Sequence, residues 1–188
     1  MYNPNTTDNQ QEMYDVVDEM DQVIGKATRK EVHSNKVLIH RAAGGYIFNT
    51  KKQVLMQKRS KTKDMFPGHW AFSVGGHVDS GDTYEKALQR ELKEELGIQI
   101  PMHFVEKRLV RHEAETEFWS IYFGIHDGPF PDYNTIEIEE VRFFSLSDLE
   151  AVITLKKEPI VPEVVKMFPD VVSLVNSDIV KQLYPNLE

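Results

Sequence analysis

Short runs of apolar, β-branched and aromatic residues, separated by turn residues, make up most of the first 145 positions, and runs of that length predict strands. Met13 to Val17 and Val23 to Thr28 read as a hairpin around a turn at Asp18 to Asp21, and Arg29 to Ser34 as a helical turn. His40 to Phe48 and Val54 to Arg59 are strands joined by Asn49-Thr50-Lys51-Lys52, a turn-like connection. Ser60 to Trp70 is a loop broken by Pro67-Gly68, and Ala71 to Val74 a short strand. Met102 to Arg111, Phe118 to His126 and Glu140 to Phe144 complete the strands, with a short helix capped by Ser147 and running through Ile153. From Pro159 the spacing turns helical; Pro162 suits a first turn, Pro169 breaks the run, and Val171 to Leu183 carries apolar residues at helical spacing. Residues 1–11 are polar and read as a disordered tail, and 12–188 as one domain with C-terminal helices from about 159. Strands around one central helix, followed by helices, predict a mixed α/β sandwich.

That central helix follows the glycine-rich loop Gly75, Gly76 and Gly81, with Asp82 as the expected N-cap, Glu85 closing a capping box, and Gly97 as the stop. Its apolar stripe is Tyr84, Ala87, Leu88, Leu92 and Leu96. Glu91, Glu94 and Glu95 share one face and flank that stripe, while Lys86 and Lys93 fall opposite. Three carboxylates at the edge of a core are unfavourable without a cation, and a hard divalent ion takes oxygen ligands of this kind. A solvated Glu/Lys helix would have put these acids on the wet side.

The stretch from Gly76 to Ile98 resembles the signature of the Nudix hydrolases, G-x5-E-x7-R-E-U-x-E-E-x-G-U, with U aliphatic. Gly76, Arg90, Glu91, Leu92, Glu94, Glu95, Gly97 and Ile98 fit, and Asp82 stands where the pattern has Glu. The resemblance covers roughly residues 13 to 170 and implies an α/β/α sandwich with a mixed β-sheet and a loop-helix-loop. It implies Mg²⁺- or Mn²⁺-dependent hydrolysis of a small diphosphate compound such as a nucleoside diphosphate derivative. Glu91, Glu94 and Glu95 would then be the metal-binding and catalytic residues, and the Gly76 carbonyl a further ligand. Arg90 would brace the loop through Asp82, and a homodimer stays open.

The chain is also similar to the type 1 isopentenyl-diphosphate isomerases, from DVVDEMDQVIGKATRKEVH through Pro67-Gly68-His69-Trp70 to Ser73-Val74-Gly75-Gly76-His77. That resemblance implies a second metal set at His33, His40, His77, Glu115 and Glu117. The isomerase's catalytic Cys falls at Gly75, and the chain has no Cys. A hydrolase of the isomerase-like branch is therefore the expectation; an isomerase-like protein and a non-catalytic diphosphate sensor are the alternatives.

Composition adds constraints. A net charge of −8 argues against a nucleic-acid binder and leaves an anionic substrate dependent on local cations. Lys58, Arg59, Lys61 and Lys63 form such a cluster, either facing a diphosphate or simply solvated. Tyr46, His69, Trp70 and Trp119 are candidates to stack on a base, or core; Trp70 is counted with Arg59, Lys61 and Lys63 as substrate-binding. Glu137, Glu139 and Glu140 are further carboxylates, either an extra acid for the site as the resemblance implies or, in preference, a charged strand edge. No long apolar run or export signal is present, so a cytoplasmic protein without a membrane span is expected.

Overall fold

The computed structural model describes residues 6–111 and 115–185. Among the described residues, nine strands form one mixed sheet. β1 (Met13–Val17) and β2 (Val23–Thr28) pair antiparallel, and α1 (Arg29–Val32) follows, capped by Thr28 and Glu31 in a reciprocal capping box. β3 (Ile39–Phe48) is central. It runs parallel to β8 (Thr116–Ile125) and antiparallel to β6 (Val74–His77). β4 (Val54–Arg59) pairs with the two-residue β5 (Trp70–Ala71) and with β9 (Ile138–Phe144), and β7 (His103–Arg111) pairs with β8.

Side-chain alternation along β3 and β4 builds two cores. Ala43, Ile47 and Leu55 face α2 (Tyr84–Leu96), whose Ala87, Leu88, Leu92 and Leu96 are sealed against them. Tyr46, Phe48, Val54 and Met56 point to the other side, onto Leu149 of α3 (Leu146–Leu155), Val164, Met167, Val171 and Val175 of α4 (Pro162–Val175) and Val180 of α5 (Asp178–Leu183). The layers are helix, sheet, helix.

Five details differ from the sequence reading. Ser145 caps α3 in place of Ser147, because its hydroxyl accepts from the Asp148 N–H. Pro169 lies inside α4, not at its end. It sits on the exposed side, so the carbonyl deprived of a partner belongs to exposed Val165 and can meet water. The break comes later, where Ser177 caps α5. Thr83 caps α2 in place of Asp82, because its hydroxyl is the one that accepts from the Lys86 N–H. Finally, residues 6–11 are not loose: the Thr7 N–H donates to the Thr62 carbonyl, and Asp8 is anchored by Lys63 and the Asp64 N–H. Residues 1–5 of the expected tail lie outside the described residues.

Candidate active site and metal centre

β6 separates two groups of polar side chains. On one side, α2 presents its acids to a cleft of about 500 Å³ lined also by Asp8, Arg59, Lys63, Gly75, Gly76, Asp79 and Glu137. α2 can lie this close because β6 offers glycines: a Cβ on Gly76 would stand 2.3 Å from Glu91 Oε1. Glu91 and Glu95 are buried, whereas the Glu94 side chain is half exposed. Glu95 Oε2 accepts from the Gly75 N–H (3.1 Å) and from Gln57 Nε2 (3.0 Å). Burial, and then repulsion from Glu95, drives the Glu91 carboxyl well above the ordinary carboxylate range. Burial does the same to Glu95 despite its donors. Two neighbouring buried acids that hold protons this firmly form a site short of positive charge.

Arg90 is the nearest cation, 2.8 Å from Glu91 and 3.2 Å from Glu94. Its Nη2 donates to the His77 carbonyl at 2.9 Å. It braces the loop through that carbonyl and Asp79 (3.5 Å) rather than through Asp82, which binds Lys86 instead. Gly97 closes α2 with φ 69°, a left-handed conformation that a side chain would strain.

On the other side of β6, sheet register assembles the second group. His40 lies opposite Glu117 across the parallel β3–β8 pair, and Ala42, two residues on, lies opposite His77. Glu115 precedes β8, and His33 closes α1. His33 Nε2 is 3.1 Å from Glu115 Oε2; His40 Nε2 is 3.4 Å and His77 Nε2 3.2 Å from Glu117 Oε1. One donor atom each from His33, His40, His77 and Glu115 fall within 4.8 Å of one another. His40 is fully buried, and neither of its ring nitrogens makes a hydrogen bond. Buried polar atoms are rarely left so, and an ion on the side of Glu115 and Glu117 would satisfy Nε2. The Trp119 indole N–H donates to Glu117 Oε2 (2.9 Å), and its ring lies against Gly75, where a Cβ would stand 3.2 Å away.

The basic cluster divides. Arg59 lines both the acidic cleft and a second cavity bordered by His33, His77, Glu115, Glu117 and Trp119, and donates to the Met65 carbonyl. Lys63 is buried in the acidic cleft, held by Asp8 (2.5 Å) and Glu137 (2.9 Å). Lys61 is exposed and lines neither cavity, and Lys58 pairs with Glu139. Trp70 is not a stacking platform. It is sealed in the core with its N–H on Glu158 and Arg142 over its ring, because β5 pairs with β4 and turns it inward. Glu137, read from sequence as strand edge, faces the cleft. Asp8 and Gln57 were not singled out. Gln57 left a trace, a polar residue sharing the α2-facing side of β4 with Leu55; Asp8 left none.

The chain and its fold match known proteins. The NUDIX domain model matches residues 38–170, and the chain belongs to the Nudix family. It is 33% identical to an uncharacterised Nudix hydrolase of Nostoc sp., over 83% of this chain and 93% of that protein. It is 32% identical to isopentenyl-diphosphate Delta-isomerase 2 of Photorhabdus laumondii, over 73% of this chain and 80% of that one, which agrees with the isomerase-like branch. A crystal structure from Deinococcus radiodurans superposes with a TM-score of 0.74 at 25% identity, covering 85% of this chain and 99% of that one. Among the described residues, no helix is long and apolar enough to cross a membrane.

Proposed function

We propose that this Nudix-type pyrophosphohydrolase cleaves the phosphoanhydride bond of a nucleoside diphosphate derivative or a similar small diphosphate, using Mg²⁺ or Mn²⁺ held by Glu91, Glu94, Glu95 and the Gly76 carbonyl. The carrying observation is the buried, mutually repelling pair Glu91 and Glu95 at the floor of a cleft. A divalent ion bound there supplies charge neutralisation of the diphosphate and polarisation of its phosphoryl oxygen. The chain's own residues do the rest. Gly75 and Gln57 hold Glu95 in one orientation, Arg90 ties the glutamate helix to the loop, and Arg59 is the cleft cation that fits a phosphate. Glu137, paired with Lys63, is a further acid lining the same cleft. The His/Glu group is a second place that fits an ion, with nitrogen-rich donors better suited to Zn²⁺ or Mn²⁺ than to Mg²⁺.

A panel of nucleoside diphosphate sugars, dinucleoside polyphosphates and nucleoside triphosphates, assayed with Mg²⁺ and Mn²⁺ for phosphate or nucleotide release, tests the reading. Turnover of at least one class is expected; none with either ion overturns it. Gly76→Ala should lower kcat/KM by about tenfold or more, since its methyl displaces Glu91. An unchanged kcat/KM would mean that Glu91 is free to move. The His/Glu group also favours a second reading, an isopentenyl-diphosphate isomerase. Deuterium incorporation into isopentenyl diphosphate from heavy water would support it, against Gly75 standing where that chemistry has Cys.

A further inference from the structure

The cations of the acidic cleft are already held by acids. Arg29, Arg59, Lys63 and Arg90 line it. Arg29 is matched by Asp64 (2.8 Å) and Glu12 (3.2 Å), Arg90 by Glu91 and Glu94, and Lys63 by Asp8 and Glu137. Arg59 donates to a neutral partner, the Met65 carbonyl. A diphosphate that takes a cation here must compete with a carboxylate for it. Those carboxylates are not equally fixed. Asp64 is fully buried, Glu91 and Glu94 belong to α2, and Glu137 adjoins β9 and accepts from Asn134 Nδ2 at 3.0 Å. Asp8 belongs to the segment 6–11, whose side chains, Thr-Thr-Asp-Asn-Gln-Gln, are all polar. That segment is tied to the body by the Thr7 N–H on the Thr62 carbonyl (3.2 Å), the Thr7 hydroxyl on Thr62 Oγ1 (3.1 Å) and the Lys30 N–H on the Gln10 carbonyl (3.3 Å). With no apolar side chain to bury, it opens at lower cost than the strands and helices around it.

Asp8 itself sits as a bound anion would. Its Oδ1 receives Lys63 Nζ at 2.5 Å, its Oδ2 receives the Asp64 N–H at 2.7 Å, and Arg29 Nη2 stands 3.9 Å from Oδ2. An ammonium, a backbone N–H and a guanidinium are the donors that a phosphate takes. We propose that segment 6–11 is an autoinhibitory strap: Asp8 occupies the place of a substrate phosphate on Lys63, and a diphosphate entering the cleft displaces it. This rests on the reading of the acidic cleft as the diphosphate site. Lys63 keeps Glu137 when Asp8 leaves, so the ammonium stays in position for its new partner. A strap closed about nine tenths of the time weakens the apparent affinity for a diphosphate by about tenfold.

The test uses methylenediphosphonate, a diphosphate analogue whose carbon bridge resists hydrolysis, titrated calorimetrically into the full chain at saturating Mg²⁺. Asp8→Asn keeps an acceptor for the Asp64 N–H and drops the charge. It should bind the probe about tenfold more tightly than wild type, and Asp8→Ala should do the same. Equal or weaker binding in both variants overturns the strap while sparing the diphosphate site, because wild type still binds. Hydrogen exchange supplies a readout that a passive anchor would not move. When the probe saturates wild type, the Thr7 and Lys30 amides should lose protection; unchanged or greater protection overturns the displacement. Absence of binding in wild type and in both variants overturns the reading of the cleft as a diphosphate site, and the strap with it. If Asp8→Ala fails to fold, Asp8→Asn and the exchange of wild type still decide.

Discussion

Glu95→Gln folds, melts no lower than wild type in EDTA, and loses about 10³-fold in kcat on whichever diphosphate proves to be turned over. The size follows from removing one charged ligand of a buried ion at the reacting phosphoryl group, about 4 kcal/mol of transition-state stabilisation. The retained stability follows from the metal-free site. Glu95 is buried beside Glu91 with its proton affinity raised, so an isosteric neutral amide relieves repulsion. The amide oxygen keeps the hydrogen bonds from Gly75 and Gln57. Steady-state kinetics at saturating Mg²⁺ and a melt in EDTA give the two numbers. Activity within threefold of wild type would remove Glu95 from the chemistry, and a large loss of Tm would mean that the carboxylate serves the fold.

Much of this architecture was legible because local signals and burial agree. Most strands were found within a residue or two of their ends, and Gly97 stops α2 as its position predicts. The wheel position of Glu91 and Glu95 gave their burial correctly, since both lie beside Leu88 and Leu92 on the turn that meets β6. It failed for Glu94, which the same wheel carries out to solvent next to Arg90. What stayed hidden depended on distant pairing. Asp8 acquires its place only through Lys63 and Asp64, more than fifty residues away. Trp70 looked available because its loop looked open, and only the β4–β5 bridge turns it inward. Arg29 and Asp64 carried no motif at all. Their meeting is a product of the loop after β4 folding back on α1, which no local period encodes.

Stability should fall with rising pH in the metal-free protein and recover when a divalent ion is added. Burial raises Glu91 to about 8 and Glu95 to about 7, from an ordinary 4.5. The folded state therefore binds more protons than the unfolded one above pH 4.5, and the stability tied to those protons is lost as pH climbs through 7 and 8. His77 works the other way: burial holds it neutral, well below its ordinary 6.5, so the unfolded chain takes up its proton below that pH and the folded one does not. Stability from His77 is lost as pH falls below 6.5, which offsets the glutamates there. The clean window is pH 6.5 to 8, where the glutamates dominate and each proton contributes a slope of up to about 1.4 kcal/mol per pH unit. Urea unfolding in EDTA across that window should show a decline that Glu91→Gln with Glu95→Gln flattens. Mg²⁺ replaces the lost protons as counter-charge, so its stabilising effect should be small at pH 6.5 and largest near pH 8. A metal effect independent of pH, or an undiminished slope in the double variant, would locate the bound ion away from this pair of acids.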